Sequence, residues 1–168
     1  MSEKTDLLTV KHFACFGSIV HTFARLEFLI QSAMADVAGI DDTKVLLLTK
    51  ALSYSQKRDT LYSYLKFYEV PESRQAKIKK LLDRADKHTA LRNNIAHALW
   101  REGIRPASIR AGYMERYGKG RIVGYDEDDK DYTLKELGDI ADELRSILNS
   151  LIRYLRDSGK IAETKQLI

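Results

Sequence analysis

The sequence predicts an all-α fold, a helical bundle of four to five helices with a β-hairpin-like insertion at about 103–125 before the last helix. Three observations predict it. Only two prolines interrupt 168 residues. Apolar residues recur at spacings of three and four over long segments, as they do along the buried stripe of a helix. Residues that start and stop helices stand at the ends of those segments.

The first element runs from about Thr9 to Ala38, with Phe16, Val20, Phe23, Leu26, Ile30, Ala33 and Val37 on one stripe. Gly39 ends it, because glycine takes the left-handed turn that closes a helix without steric cost. Asp41, Asp42 and Thr43 offer N-caps for a second helix from Lys44 to about Leu52. Ser53-Tyr54-Ser55 reads as a short break, after which Gln56 to Tyr68 resumes the helical period. Pro71 suits a first helical position and opens a long segment to about Trp100, carrying Ile78, Leu81, Leu82, Ala85, Leu91, Ile95 and Leu99. From Gly103 to Tyr125 the texture changes to glycine and short β-like runs, and Tyr117-Gly118-Lys119-Gly120 suits a hairpin turn. The acidic run Asp126 to Asp131 reads as a solvated loop. Thr133 and Glu136 then form a capping box for a last helix to about Asp157, with Leu137, Ile140, Leu144, Ile147, Leu148, Leu151 and Leu155 on its apolar side. One domain is expected over 1–168, its core at about 10–157 and a short flexible tail after it.

Composition narrows the function classes. The hydrophobic share is 44% and the charged share 31%, a globular balance. The longest uncharged stretch, His12 to Ala24, has 13 residues, against the roughly 20 apolar ones a spanning helix needs. No membrane partner and a reducing cytoplasm are the expectation, and the single Cys15 reads as a buried structural thiol. The net charge of +4 carries little by itself, but its distribution is uneven. Pro71 to Arg105 holds nine Lys or Arg against four acids, whereas Asp126 to Glu143 holds nine acids against two Lys.

Several candidate sites fail on spacing. Gly118-Lys119-Gly120 lacks the rest of a phosphate loop. The acidic run has Asp131 and Leu137 where a calcium loop needs Gly and Glu. His12 and His21 have no Cys or paired His to complete a zinc site, and read as partly buried core or interface residues. No metal and no cofactor are expected.

One segment stands apart, Leu91-Arg92-Asn93-Asn94-Ile95-Ala96-His97-Ala98-Leu99-Trp100. On a helical wheel Leu91, Ile95, Ala98 and Leu99 form a core stripe, while Arg92, Asn93, Ala96, His97 and Trp100 form a second face. That face combines a near-neutral acid/base, a permanent guanidinium charge and a neutral amide. Those groups can cleave RNA without metal: His97 takes the ribose 2′-hydroxyl proton while Arg92 and Asn93 steady the phosphorus. Arg92 and His97 stand about 140° apart around the helix, so two copies facing each other across a twofold axis would serve one phosphate better than one copy. Ala96 and Trp100 are the expected dimer-interface residues.

Arg92, Asn93 and His97 on the long helix of a small α bundle resemble the signature of the HEPN superfamily (higher eukaryotes and prokaryotes nucleotide-binding domains), an Arg followed four to six residues later by His. Phe23 and Glu27 on an early helix, and Leu52-Ser53-Tyr54-Ser55-Gln56-Lys57 after it, extend the likeness over about residues 10 to 157. The resemblance implies a homodimer with a composite endoribonuclease site, a 2′,3′-cyclic phosphate product, and service as a toxin with an antitoxin protein partner or in phage defence. One branch of the superfamily carries a modifiable Tyr two residues after the His, where this chain has Leu99. Arg101, Arg105 and Lys57 are the expected substrate-binding residues, with Arg58 as a further phosphate contact and Tyr113 and Tyr117 as base-stacking candidates. The alternative is a non-catalytic all-α dimeric module that binds a partner or RNA through the same face.

Overall fold

The structure is a computed structural model that describes the backbone of residues 7–117 and 121–157, and the side chains of residues 7–112 and 130–155. It is mostly helical, with a small three-stranded antiparallel sheet before the last helix. Six helices are present among the described residues: α1 (Val10–Ala38), α2 (Asp42–Thr49), α3 (Tyr54–Phe67), α4 (Glu72–Asp86), α5 (Thr89–His97) and α6 (Leu134–Asp157). The strands β1 (Leu99–Glu102), β2 (Ser108–Tyr117) and β3 (Arg121–Thr133) lie between α5 and α6 in the order β1-β2-β3. The chain divides into two compact units, one of Met1–His21 and Ala90–Glu143 and one of Thr22–Thr89 and Leu144–Ile168.

Local chemistry sets most helix ends. Gly39 adopts φ 65°, and the Ile40 N–H returns to the Ala35 carbonyl at 3.1 Å. Asp41 caps α2 by accepting from the Thr43 N–H at 2.9 Å. Ser53 and Gln56 form a reciprocal capping box at the start of α3, so the break at Ser53-Tyr54-Ser55 is a helix start. Thr133 and Glu136 do the same for α6, with the Thr133 N–H donating to Glu136 Oε2 at 2.7 Å and the Glu136 N–H to Thr133 Oγ1 at 3.2 Å.

In the second unit, Phe23, Leu26, Ile30, Leu61, Leu65, Ile78, Leu82, Leu144, Ile147 and Leu151 are at most 2% exposed and form the core. Directed contacts tie its helices together. The Tyr54 hydroxyl donates to the Leu82 carbonyl at 3.2 Å, the Phe23 and Tyr54 rings meet edge to face at 5.2 Å, and the Gln31 amide donates to Thr49 Oγ1 at 2.6 Å. The core of the first unit is Phe16, Ile19, Leu91, Ile109, Ala111, Tyr132, Leu137 and Ala141. Among the described helices, α1 is long and apolar enough to cross a membrane by length and composition. Its Ile19, Phe23, Leu26 and Ile30 are fully buried within the protein.

Four expectations are corrected. The single helix expected from Pro71 to Trp100 is two helices and a strand. Asp86 fixes the break, because its carboxylate takes the Arg58 guanidinium at 2.5 Å, the Ser55 hydroxyl at 3.3 Å and the Thr89 hydroxyl at 3.3 Å. The hairpin expected at about 103–125 is a longer, three-stranded sheet that begins at Leu99; the turn residues Gly118 to Gly120 lie outside the described residues. The acidic run is no loop but the second half of β3, where Arg110 opposes Asp131 and Ile109 opposes Tyr132. Cys15 is partly exposed rather than buried.

Candidate functional site on helix α5

Helix α5 is nine residues long and amphipathic in an unusual way. Leu91 and Asn94 are buried and anchor it, while Asn93, Ala96 and His97 are exposed and Arg92 is half-buried. The helix seats itself with its core-facing residues and presents Asn93, Ala96 and His97 to solvent. The Arg92 guanidinium donates through Nη1 to Asn93 Oδ1 at 3.1 Å, which joins two of the three motif residues into one polar group. His97 occupies the last turn of α5. Five residues separate Arg92 from His97, a rise of about 7.5 Å and a turn of about 140°. Such a spread suits two ends of one extended anionic substrate, or one phosphate gripped by two copies.

Trp100 is not on that helical face. The backbone leaves the helix after the Ala98 N–H bonds to the Asn94 carbonyl at 2.9 Å, and Leu99 to Glu102 pair with Ile109 to Gly112. The Trp100 ring packs on Phe16 at 4.8 Å and meets Tyr132 edge to face at 6.4 Å, so this side chain is held inside its own unit. Leu99, expected in the core stripe, is 49% exposed for the same reason. Of the two expected interface residues, only Ala96 keeps the exposed position on α5.

The expected substrate-binding cations divide sharply. Arg101 is exposed on β1 directly opposite Arg110 of β2. Arg105 is engaged structurally: its guanidinium holds both Glu136 oxygens at 2.8 Å and the Asp131 carbonyl at 2.5 Å. That grip and the Thr133 N–H pull the Glu136 carboxyl down to about 2. Lys57 lies in the second unit, 6% exposed, with its ammonium 2.5 Å from Glu27 Oε2. Its expected role as a phosphate contact is therefore corrected to that of a buried ion-pair partner. Arg58 is likewise engaged, by Asp59 and Asp86. The side chains of Tyr113 and Tyr117 lie outside the described residues.

Two arrangements were not visible in the sequence. The His12 Nδ1 accepts from the Thr9 N–H at 3.2 Å and lies 2.9 Å from the Thr9 hydroxyl, one half of what Glu or Gln does in a capping box, at the start of α1. His12 is buried, whereas His21 is exposed. The second arrangement is Asp131 Oδ2, which accepts from the Arg105 N–H at 2.8 Å and the Ser108 hydroxyl at 3.0 Å and pins the β1–β2 loop. Among the described residues no three His, Cys, Asp or Glu side chains gather as a metal site would need.

No family model matches the chain, and neither a curated protein nor a solved structure does.

Proposed function

We propose that this protein is a HEPN-type endoribonuclease that acts as a homodimer, with Arg92, Asn93 and His97 of both chains forming one site. The observation that supports this reading most is the exposed polar group on α5, in which Arg92 and Asn93 are joined at 3.1 Å while His97 stands open in the last turn. Residues that served only to seat the helix would be buried like Leu91 and Asn94. Ala96 lies between Asn93 and His97 in sequence and on the exposed side, and its small side chain lets a second α5 approach closely.

In the proposed reaction the imidazole of one His97 takes the proton of a ribose 2′-hydroxyl, whose oxygen attacks the adjacent phosphorus. The bond from phosphorus to the 5′-oxygen breaks, and the imidazolium of the other His97 returns a proton to that leaving oxygen. Arg92 neutralises the charge that builds on the non-bridging oxygens, and Asn93 holds the guanidinium in place. The products are a 2′,3′-cyclic phosphate and a 5′-hydroxyl. A role as toxin or phage-defence nuclease, with an antitoxin protein as partner, follows from the same reading.

The test is His97→Ala, compared with wild type on a mixed RNA pool in EDTA. Cleavage is expected to fall about 10²- to 10⁴-fold, the usual worth of a general acid/base. Helix content and dimer mass should not change, because His97 is exposed. Undiminished cleavage by His97→Ala refutes the mechanism. A wild-type dimer that cuts no RNA supports the non-catalytic module.

A further inference from the structure

The second unit contains a cavity of about 230 Å³ lined by residues of α1, α3, α4, α6 and the turn between α3 and α4. Leu65, Val70 and Ile78 give it apolar walls, and Asp36, Arg74 and Tyr68 give it polar and aromatic ones. Asp36 is the unusual member. Its Oδ2 is buried and has no hydrogen-bond partner among the described residues, an arrangement that costs folding free energy unless something else donates to the carboxyl. Burial, followed by repulsion from Asp42, raises the carboxyl above its ordinary range, while nearby Arg74 acts in the opposite direction.

The rim is the C-terminal end of α3. Glu69 adopts φ 52°, a left-handed conformation that side-chain-bearing residues rarely take. Around it the Tyr68 N–H bonds to the Tyr64 carbonyl at 2.9 Å, the Val70 N–H to the Leu65 carbonyl at 3.0 Å, and the Gln75 amide to the Val70 carbonyl at 2.6 Å. With the Glu69 N–H to the Lys66 carbonyl at 3.2 Å, these bonds close α3 in a Schellman cap at the mouth of the cavity, with Glu69 at the position where glycine usually stands. Tyr68 there is 44% exposed and touches the neighbouring Phe67 ring at 5.0 Å.

We propose that this cavity binds one nucleobase, guanine, with the Asp36 carboxyl accepting from N1–H and the exocyclic amino group, the Arg74 guanidinium donating to O6 or N7, and Tyr68 stacking on the ring. The volume admits a single flat ring system and leaves ribose and phosphate outside. Guanine matches the polar pair because it alone among the four bases sets two adjacent N–H donors beside a carbonyl acceptor. Adenine presents an acceptor at N1, and uracil has one N–H between two carbonyls. The inference does not need Arg92 or His97, so it stands or falls separately from RNA cleavage.

The experiment is a titration of the full chain with GMP, IMP, AMP and UMP, followed by calorimetry and by amide chemical shifts. GMP should bind saturably and shift the amides of Asp36, Tyr68 and Arg74. AMP and UMP should bind at least about tenfold more weakly, and IMP, which lacks the exocyclic amino group, about 5-fold or more. Asp36→Asn should weaken GMP about 5- to 150-fold, the range for a bidentate contact to a base. Tyr68→Ala, at an exposed position, should weaken it by a similar factor through lost stacking and covers the case in which Asp36→Asn misfolds. His97→Ala should leave GMP binding unchanged, which separates this site from the proposed cleavage site. A 2′-O-methyl RNA containing one G decides the source of the base: tighter binding than GMP identifies RNA, and equal or weaker binding identifies a free nucleotide. Equal affinity for GMP and AMP, or no saturable GMP binding, or an unchanged affinity in folded Asp36→Asn and Tyr68→Ala overturns the proposal.

Discussion

Lys57→Ala distinguishes a buried ion pair from a phosphate contact, because the two roles move different measurements. The Lys57 side chain is 8% exposed and that of Glu27 is 18% exposed, with 2.5 Å between ammonium and carboxylate. Truncating the lysine leaves a mostly buried carboxylate without the ammonium beside it. Breaking a buried pair from one side costs about 3–5 kcal/mol. Because Glu27 retains some access to water, the lower end, about 3 kcal/mol, is expected. For a chain of this size that corresponds to a fall in Tm of about 6–12 °C. The double variant Glu27→Leu/Lys57→Met removes both charges and keeps apolar volume, so it should recover most of the loss. Thermal and urea unfolding at pH 7 give the two stabilities, and the full double-mutant cycle gives the coupling. RNA affinity measured across a salt series supplies the opposing readout. A lysine that contacted a phosphate would flatten the salt slope by about 0.7–0.9 and leave Tm alone. A Tm within about 1 °C of wild type together with a flattened slope refutes the ion-pair account of Lys57.

Gly103→Ala should destabilise the first unit, since the new Cβ would stand 2.0 Å from Ser108 Oγ and 2.7 Å from Asp131 Oδ2. The single Ser108 hydroxyl proton stands between the Arg105 carbonyl at 2.7 Å and Asp131 Oδ2 at 3.0 Å, so neither side chain yields freely. An overpacking cost of about 1–3 kcal/mol is expected, read from the urea midpoint. The Glu136 carboxyl should make stability acid-sensitive. Its pKa is lowered from 4.5 to about 2, chiefly by the Arg105 guanidinium and then by the Thr133 N–H. A lowered carboxylate contributes fully above the unfolded value and loses that contribution as pH falls from about 4.5 toward 2. Glu136→Gln should therefore show a shallower decline of Tm between pH 6 and pH 2.5 than wild type.

Most helix ends were legible in the sequence. The capping box at Thr133/Glu136 and the glycine stop at Gly39 lie where the residue pattern put them, whereas Ser53, read as part of a break, caps α3 together with Gln56. Each is made within about five residues, so neighbours in sequence are neighbours in space. The buried stripes of α1 and α6 were legible for a related reason, because a 3.6-residue period alone decides which side chains share a face. The Arg92, Asn93 and His97 group was visible as a motif, and its first two members are indeed joined on α5.

What failed depended on partners distant in sequence. The wheel continued α5 through Trp100, yet the strand Leu99 to Glu102 exists only because Ile109 to Gly112 come back beside it. The acidic run is a strand because β2 lies against it, and Arg110 opposes Asp131 there. Lys57 looked like an exposed cation until Glu27, 30 residues away, met it in a buried pair. The sequence by itself therefore determined most of the helices, the ends at Gly39, Asp41 and Thr133/Glu136, and the apolar faces of α1 and α6, which follow from short-range hydrogen bonding and periodicity. Tertiary structure decided which charges remain accessible, where the long helix gives way to a sheet, and which carboxyl faces a cavity, because burial and strand pairing are set by residues that only folding brings together.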